Sequence, residues 1–175
     1  VLGGGPSVED FIAAYKEKKL DDKMIIIACD AVLRRLLKEN IKPHFVLRCE
    51  RKLTTIFSGV KREDTKDIIY MAYPWTPAEF FDLFDTISVC TRDNGVCHHL
   101  GYDIGSLNGG VSAANACFEL AAVIGASPIL TSGIDLGFID GNSHLSGTDI
   151  EFDVEKSKKH WVEVEANDGS KITSI

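Results

Sequence analysis

Glycines, acids and one histidine recur in this chain where apolar runs stop. The densest case is ILTSGIDLGFIDGNSH, residues 129–144. It opens apolar and β-prone, then carries Gly133, Asp135, Asp140 and His144. An imidazole placed there can donate a proton or hold charge on a departing phosphate. A loop hydrogen bond is the plainer role for the same histidine. Gly133 admits a ligand or a neighbouring chain at close range. Asp135 falls just past a strand end, and with His144 it is the candidate for the chemistry itself. The segment that joins them is long enough to act as a lid.

A second stretch is Gly3-Gly4-Gly5-Pro6-Ser7. Three glycines let a backbone approach a ligand and take positive φ. Ser7 followed by Asp10 reads as a capping box opening a helix. The loop is therefore expected to bring free N–H groups and a helix N-terminus to one place, which suits a phosphate or carboxylate. A tight strand-to-helix turn is the alternative. The pattern is neither G-x-G-x-x-G nor a Walker A loop, since no Lys-Ser/Thr follows. Asp30 can cap the next helix or accept hydrogen bonds from a ribose or base. Glu50 stands where an acid meets a ligand hydroxyl, or belongs to a solvated charge cluster. Asn108-Gly109-Gly110-Val111-Ser112 again offers backbone N–H groups before a helix, as an anion or base site or as ordinary capping. Cys97-His98-His99 with Cys90 superficially resembles a metal cluster, but its spacing fits no standard zinc pattern. No G-x-S-x-G elbow is present.

These residues need strands and helices behind them. MIIIA (24–28), HFVLRC (44–49), DIIYMA (67–72), TISVC (86–90) and residues 128–132 read as short strands, with Val1-Leu2 the tail of a first one. MIIIA reads as buried on both faces. Helices are expected over 8–18, 31–39 and 111–124, with Asn40 as a stop and Thr76 capping a short helix from Pro77. The alternation predicts an α/β fold with a doubly wound, mainly parallel sheet. Residues 161–165 and 171–174, joined through Asn167-Asp168-Gly169, predict a β-hairpin. In such sheets ligands bind at the C-terminal ends of the strands, so the residues just after each strand matter most.

The bulk properties narrow the classes. The chain has 175 residues, enough for a single domain with a sizeable core. Its first and last residues both sit within β-like runs, so it reads as a piece of a longer protein. Its net charge of -7 argues against a nucleic-acid groove. No apolar run approaches the roughly 18 residues that span a membrane. Five cysteines at irregular spacing point to free thiols and a cytoplasmic setting.

Four segments resemble the motility-associated factor family, bacterial proteins linked to flagellin glycosylation. They are GGGPS, IIIACDAVLRRLLKENIKPHFVLRCE, LNGGVSAANACFELAAVIGASPIL and SGIDLGFIDGNSHLSGTD, and together they cover most of residues 1–150. The same domain family includes archaeal 6-hydroxymethylpterin diphosphokinases. The family core is similar to bacterial sialyltransferases, which use CMP-activated sugars on a Rossmann-like variant of the GT-A fold without a metal. The resemblance implies a nucleotide held by Gly3, Gly4, Gly5 and Ser7, by Asp30 and Glu50, and by Asn108, Gly109, Gly110 and Ser112. It sets Ser132-Gly133-Ile134-Asp135 against the sialyltransferases' S-G-I-D. Those enzymes follow that motif with tyrosines, where this chain has Gly137, Phe138 and His144.

Three functions follow as expectations. The first is a glycosyltransferase that moves a nonulosonic-acid-type sugar from a CMP donor to a protein hydroxyl, such as one on flagellin, with no required cofactor. The second is a pterin diphosphokinase using ATP and Mg²⁺, held by Asp30, Glu50 and Asp135. The third is a nucleotide-sugar-binding module without catalysis.

Overall fold

The computed structural model describes residues 1–20, 23–52, 54–92, 95–102, 104–110, 112–139, 142–146, 148, 162–165 and 169–174. Apolar spacing explains the helices. In α2 (Asp30–Lys38) Val32, Leu33 and Leu36 share one face and are fully buried. The opposite face carries Arg35, whose guanidinium binds Glu9 of α1 (Val8–Lys16) at 2.8 and 2.9 Å and also reaches Glu39. Asn40 ends α2 in the left-handed region at φ 58°, a conformation asparagine tolerates.

Four short strands form a parallel sheet in the order β1 (Ile27–Cys29), β2 (Phe45–Leu47), β3 (Ile69–Ala72) and β4 (Thr86–Val89). Leu2 extends this sheet by bridging in parallel to Ala28 on one side and Ser132 on the other. The spatial order is therefore Ser132, Leu2, β1, β2, β3, β4. The chain leaves Leu2 in one direction and returns to its other flank through α4 (Ala113–Val123). Right-handed crossovers then place α1 and α2 on one face and α4 on the other. This is a Rossmann-like α/β arrangement. Its topological switch point lies between Leu2 and Ser132.

The structure corrects several expectations. Residues 128–132 form no continuous strand; they meet the sheet at the Ser132 bridge, and Leu130 O accepts from the Val1 amino group at 2.7 Å. Ile25 is 53% exposed, so MIIIA is not buried throughout. The outermost strand β4 is exposed along its whole length. Thr76 caps nothing: the 3-10 turn Ala78–Leu83 starts from Pro77 without a side-chain cap, and Thr76 Oγ1 accepts the Tyr73 N–H at 3.2 Å instead. The irregular stretch before α4 contains a short helix α3 (Gly95–His99) that was not foreseen. The hairpin forms as β5 (Val162–Glu165) antiparallel to β6 (Lys171–Ser174); Trp161 and the Asn167-Asp168 turn lie outside the described residues.

Candidate functional site

The two loops at the switch point are welded to each other. Gly3 N–H donates to Ser132 O at 2.8 Å, and Gly5 N–H donates to Gly133 O at 2.9 Å. Gly133 N–H donates to Ser7 Oγ at 2.8 Å, and Ser132 Oγ donates to Ser7 O at 2.8 Å. These contacts explain the glycines. A Cβ on Gly3 would stand 2.8 Å from Gly133 C, and one on Gly133 would stand 2.5 Å from Gly3 O. Gly133 also has φ 72°, a conformation that costs other residues. The glycine requirement at 3 and 5 is thus close approach of chain to chain.

The expected capping box does not form. Ser7 already has helical dihedrals, and its hydroxyl donates to Asp135 Oδ1 rather than capping α1. Ser7 N–H donates to Asp135 Oδ2 at 3.0 Å. The N-terminus of α1 does hold an anion, but that anion is the chain's own Asp135. The row of free N–H groups expected from Gly3 to Ser7 is largely consumed, because the neighbouring segment supplies acceptors at the same level.

Gly4 faces away from the Gly133 segment, towards α2 and His144. Its missing Cβ points to a spot 3.0 Å from Ala31 Cβ and 3.3 Å from His144 Cδ2. The His144 imidazole therefore lies over Gly4 beside the first turn of α2. The loop is pinned there by Leu145, which is buried and donates its N–H to Gly4 O at 2.8 Å. Burial lowers the pKa of His144, which favours the neutral ring. Ser143 Oγ lies 3.0 Å from His144 Nδ1. When that hydroxyl donates, the ring proton sits on Nε2, which Ser143 does not engage. Asp140 lies outside the described residues.

Asp30 opens α2 and is buried. Its Oδ1 accepts the Ala31 N–H at 3.0 Å, and its Oδ2 accepts from Arg48 Nη1. Arg48, 1% exposed, also donates from Nη2 to Lys52 O at 2.7 Å and to Thr54 Oγ1 at 3.2 Å, under the ring of Phe80. Burial pushes the Asp30 carboxyl up, and Arg48 pulls it part of the way back. Glu50 is exposed, and its Oε1 accepts the N–H groups of Arg51 at 2.7 Å and Lys52 at 3.1 Å. Those amides, Lys52 first, hold its carboxyl below the ordinary range.

At the far side, Ser112 Oγ caps α4 by accepting Ala114 N–H at 3.2 Å, the plain reading of that motif. Gly109 lets the loop press on Ala116, and Gly110 turns it at φ 65°. Asn108 is exposed at the start of this turn. Cys97, His98 and His99 lie on α3, and the two histidines are exposed. Among the described residues no three His, Cys, Asp or Glu side chains come together as a metal would require. Burial pushes the Cys29 thiol up to about 12 and the Cys90 thiol to about 11.

Sequence reasoning missed Arg48, Tyr73 and Trp75. A basic residue at the end of an apolar strand, with an acid at the end of the preceding strand, was the available signal for Arg48. A cavity of about 620 Å³ reaches Leu2 and Ser132 from the other end of the strands. It is lined by the aliphatic side chains of Leu20, Met24, Ile25, Ile124, Pro128 and Leu130, near the N-terminal ends of the strands. It offers no acid–base pair, and topology places ligands at the opposite ends.

Residues 1–141 match the model of the family described as 6-hydroxymethylpterin diphosphokinase MptE-like. The chain belongs to this MptE-like family. The match takes in the Gly3–Ser7 loop, Asp30, the Asn108 turn and Asp135, and it stops three residues before His144. Among solved structures, the MptE-like chain superimposes on a Maf glycosyltransferase from Magnetospirillum magneticum AMB-1 with a TM-score of 0.71 at 21% identity. The superposition covers 99% of this chain and 26% of that one, so the chain spans about a quarter of that protein's length. No curated protein matches the chain. At this identity the neighbour shows the shared fold. Within the described residues no helix is long and apolar enough to cross a membrane.

Proposed function

We propose that this chain is a glycosyltransferase-type domain that binds a CMP-activated sugar and passes it to a protein hydroxyl, as in flagellin glycosylation. The observation that carries the reading is the partly buried His144 imidazole folded over Gly4, beside the N-terminal turn of α2 at the switch point. A donor laid across that crevice meets Gly4 and His144 with its phosphate and the strand ends with its nucleoside. The acceptor hydroxyl oxygen bonds to the anomeric carbon and releases its proton to water, and the bond from that carbon to the phosphate oxygen breaks. CMP leaves with the electron pair. His144 Nε2–H donates to the departing phosphate oxygen, where negative charge builds. Asp135, spent on Ser7, acts as a positioning residue for the Gly133 turn. The Maf glycosyltransferase neighbour supports this choice of chemistry.

The family description favours a second reading, a diphosphokinase that uses ATP with Mg²⁺. The residues available do not fit that metal. Asp30 is committed to Arg48, Asp135 to Ser7, and Glu50 to its own loop, from three separate strand ends.

Thermal unfolding with CMP, CTP, UDP, GDP and ATP, each with and without Mg²⁺, tests both. A ligand at 100 times its Kd adds about 2.7 kcal/mol of stability. Stabilisation by CMP or CTP without Mg²⁺, weakened in His144→Ala, is the expected result. Stabilisation by ATP alone, and only with Mg²⁺, overturns it in favour of the diphosphokinase. No stabilisation by any of them points to a module that binds something else.

A further inference from the structure

Resting on that reading, we infer that Trp75 and Arg51 form the clamp for the nucleobase, with the indole as one jaw and the guanidinium as the other. Trp75 follows β3 and is only partly buried. It is nonetheless fixed on two sides. Its Nε1–H donates to Cys49 O, just past β2, at 3.1 Å. Its ring stacks on Tyr73 with centroids 5.0 Å apart and planes 10° apart. Tyr73 is itself buried, and its hydroxyl donates to Leu107 O at 3.0 Å, beside the Asn108 turn. The indole is thus a preorganised plane at the C-terminal rim of the sheet, so a ring that lands on it need not order it first.

Arg51 lies over that plane, its guanidinium carbon 5.1 Å from the Trp75 centroid. It is exposed, and its long stem lets the flat cation lift and settle on a second plane inserted beneath it. Indole, base and guanidinium then form one stack. Glu50, the residue before it, is held by the Arg51 and Lys52 amides in the same loop.

The spacing suits one ligand that reaches both places. Trp75 sits over the end of β2, two strands from the Leu2 segment. At a strand separation of roughly 4.8 Å that is about 10 Å across the sheet, which a nucleoside phosphate spans. Phosphate at Gly4 and His144 and base at Trp75 place the ribose over the end of β1, beside Asp30.

The test uses tryptophan emission. The chain has two tryptophans, so Trp161→Phe leaves Trp75 as the reporter. CMP should quench it, while ribose 5-phosphate should bind the phosphate end without quenching. Trp75→Leu should weaken CMP roughly tenfold and leave ribose 5-phosphate affinity unchanged. Arg51→Ala changes only an exposed side chain and guards against misfolding of the tryptophan variant; it should weaken CMP about threefold. CMP binding that is unaltered in both variants overturns the clamp while leaving the nucleotide reading intact. An unaltered chain that binds neither CMP nor ribose 5-phosphate overturns that reading and the clamp with it.

Discussion

Replacing Asp135 by Asn separates a fold-building carboxylate from a ligand-binding one. Both of its oxygens accept from Ser7, one from the N–H at 3.0 Å and one from the hydroxyl. Both bonds are partly buried and lie at the N-terminus of α1. Hydrogen bonds to a charged group contribute about 1.5–3 kcal/mol each. An anion at a helix N-terminus adds about 0.3–1 kcal/mol. Asn keeps one acceptor, turns an NH₂ towards a donor and loses the charge. The expected loss is about 2 kcal/mol, a drop in Tm of about 4–8 °C for a chain of this size. Ser7→Ala should cost a similar amount, and the double variant should cost less than the sum, with a coupling of about 1–2 kcal/mol. Thermal unfolding by circular dichroism measures all three. CMP affinity, measured by calorimetry well below both melting temperatures, should stay within about threefold. An unchanged Tm together with lost CMP binding would falsify the argument and make Asp135 a group that meets the ligand.

Three further outcomes follow from the same geometry. Gly133→Ala places a Cβ 2.5 Å from Gly3 O at φ 72°; a loss above about 3 kcal/mol is expected, and a soluble variant with native Tm would contradict the welded loops. Arg48→Met leaves Asp30 buried without its cation and should cost about 3–5 kcal/mol; pairing it with Asp30→Asn should recover much of that in urea unfolding, and failure to recover would deny that charge is the cause. The His144 pKa is lowered on folding, so the unfolded chain takes up the proton first as pH falls. Its contribution is full above about pH 6.5 and is lost as pH drops through the folded pKa. His144→Gln should therefore flatten the fall in stability between about pH 7 and 5, and an unchanged slope would place the ring in water.

Much of the fold was legible because local rules and burial agree along it. The apolar face of α2, the left-handed stop at Asn40 and the run of short strands separated by helices all appear in the residues themselves. So does the hairpin at 162–174, where alternation has period two. The expectations that failed are those set by position in the sheet. TISVC reads as a strand like the others but lies at the outer edge, with a neighbour on one side only, and Thr86–Val89 is exposed along its length. Thr76 has the chemistry of a cap, and Tyr73 offered it a nearer donor.

The candidate site divides in the same way. The sequence by itself determined that glycines, acids and a histidine follow strand ends, since loop composition and strand pattern are local properties. Only the tertiary structure decided what each one faces. Gly3 and Gly5 face Gly133 across the switch point, because two parallel strands bring their loops to one level. Asp135 meets Ser7 from 128 residues away, and Arg48 meets Asp30 from the next strand. Long-range partners of this kind leave no periodic trace in the chain. A carboxylate's role is set by the donor that reaches it first, and that donor is chosen by strand order.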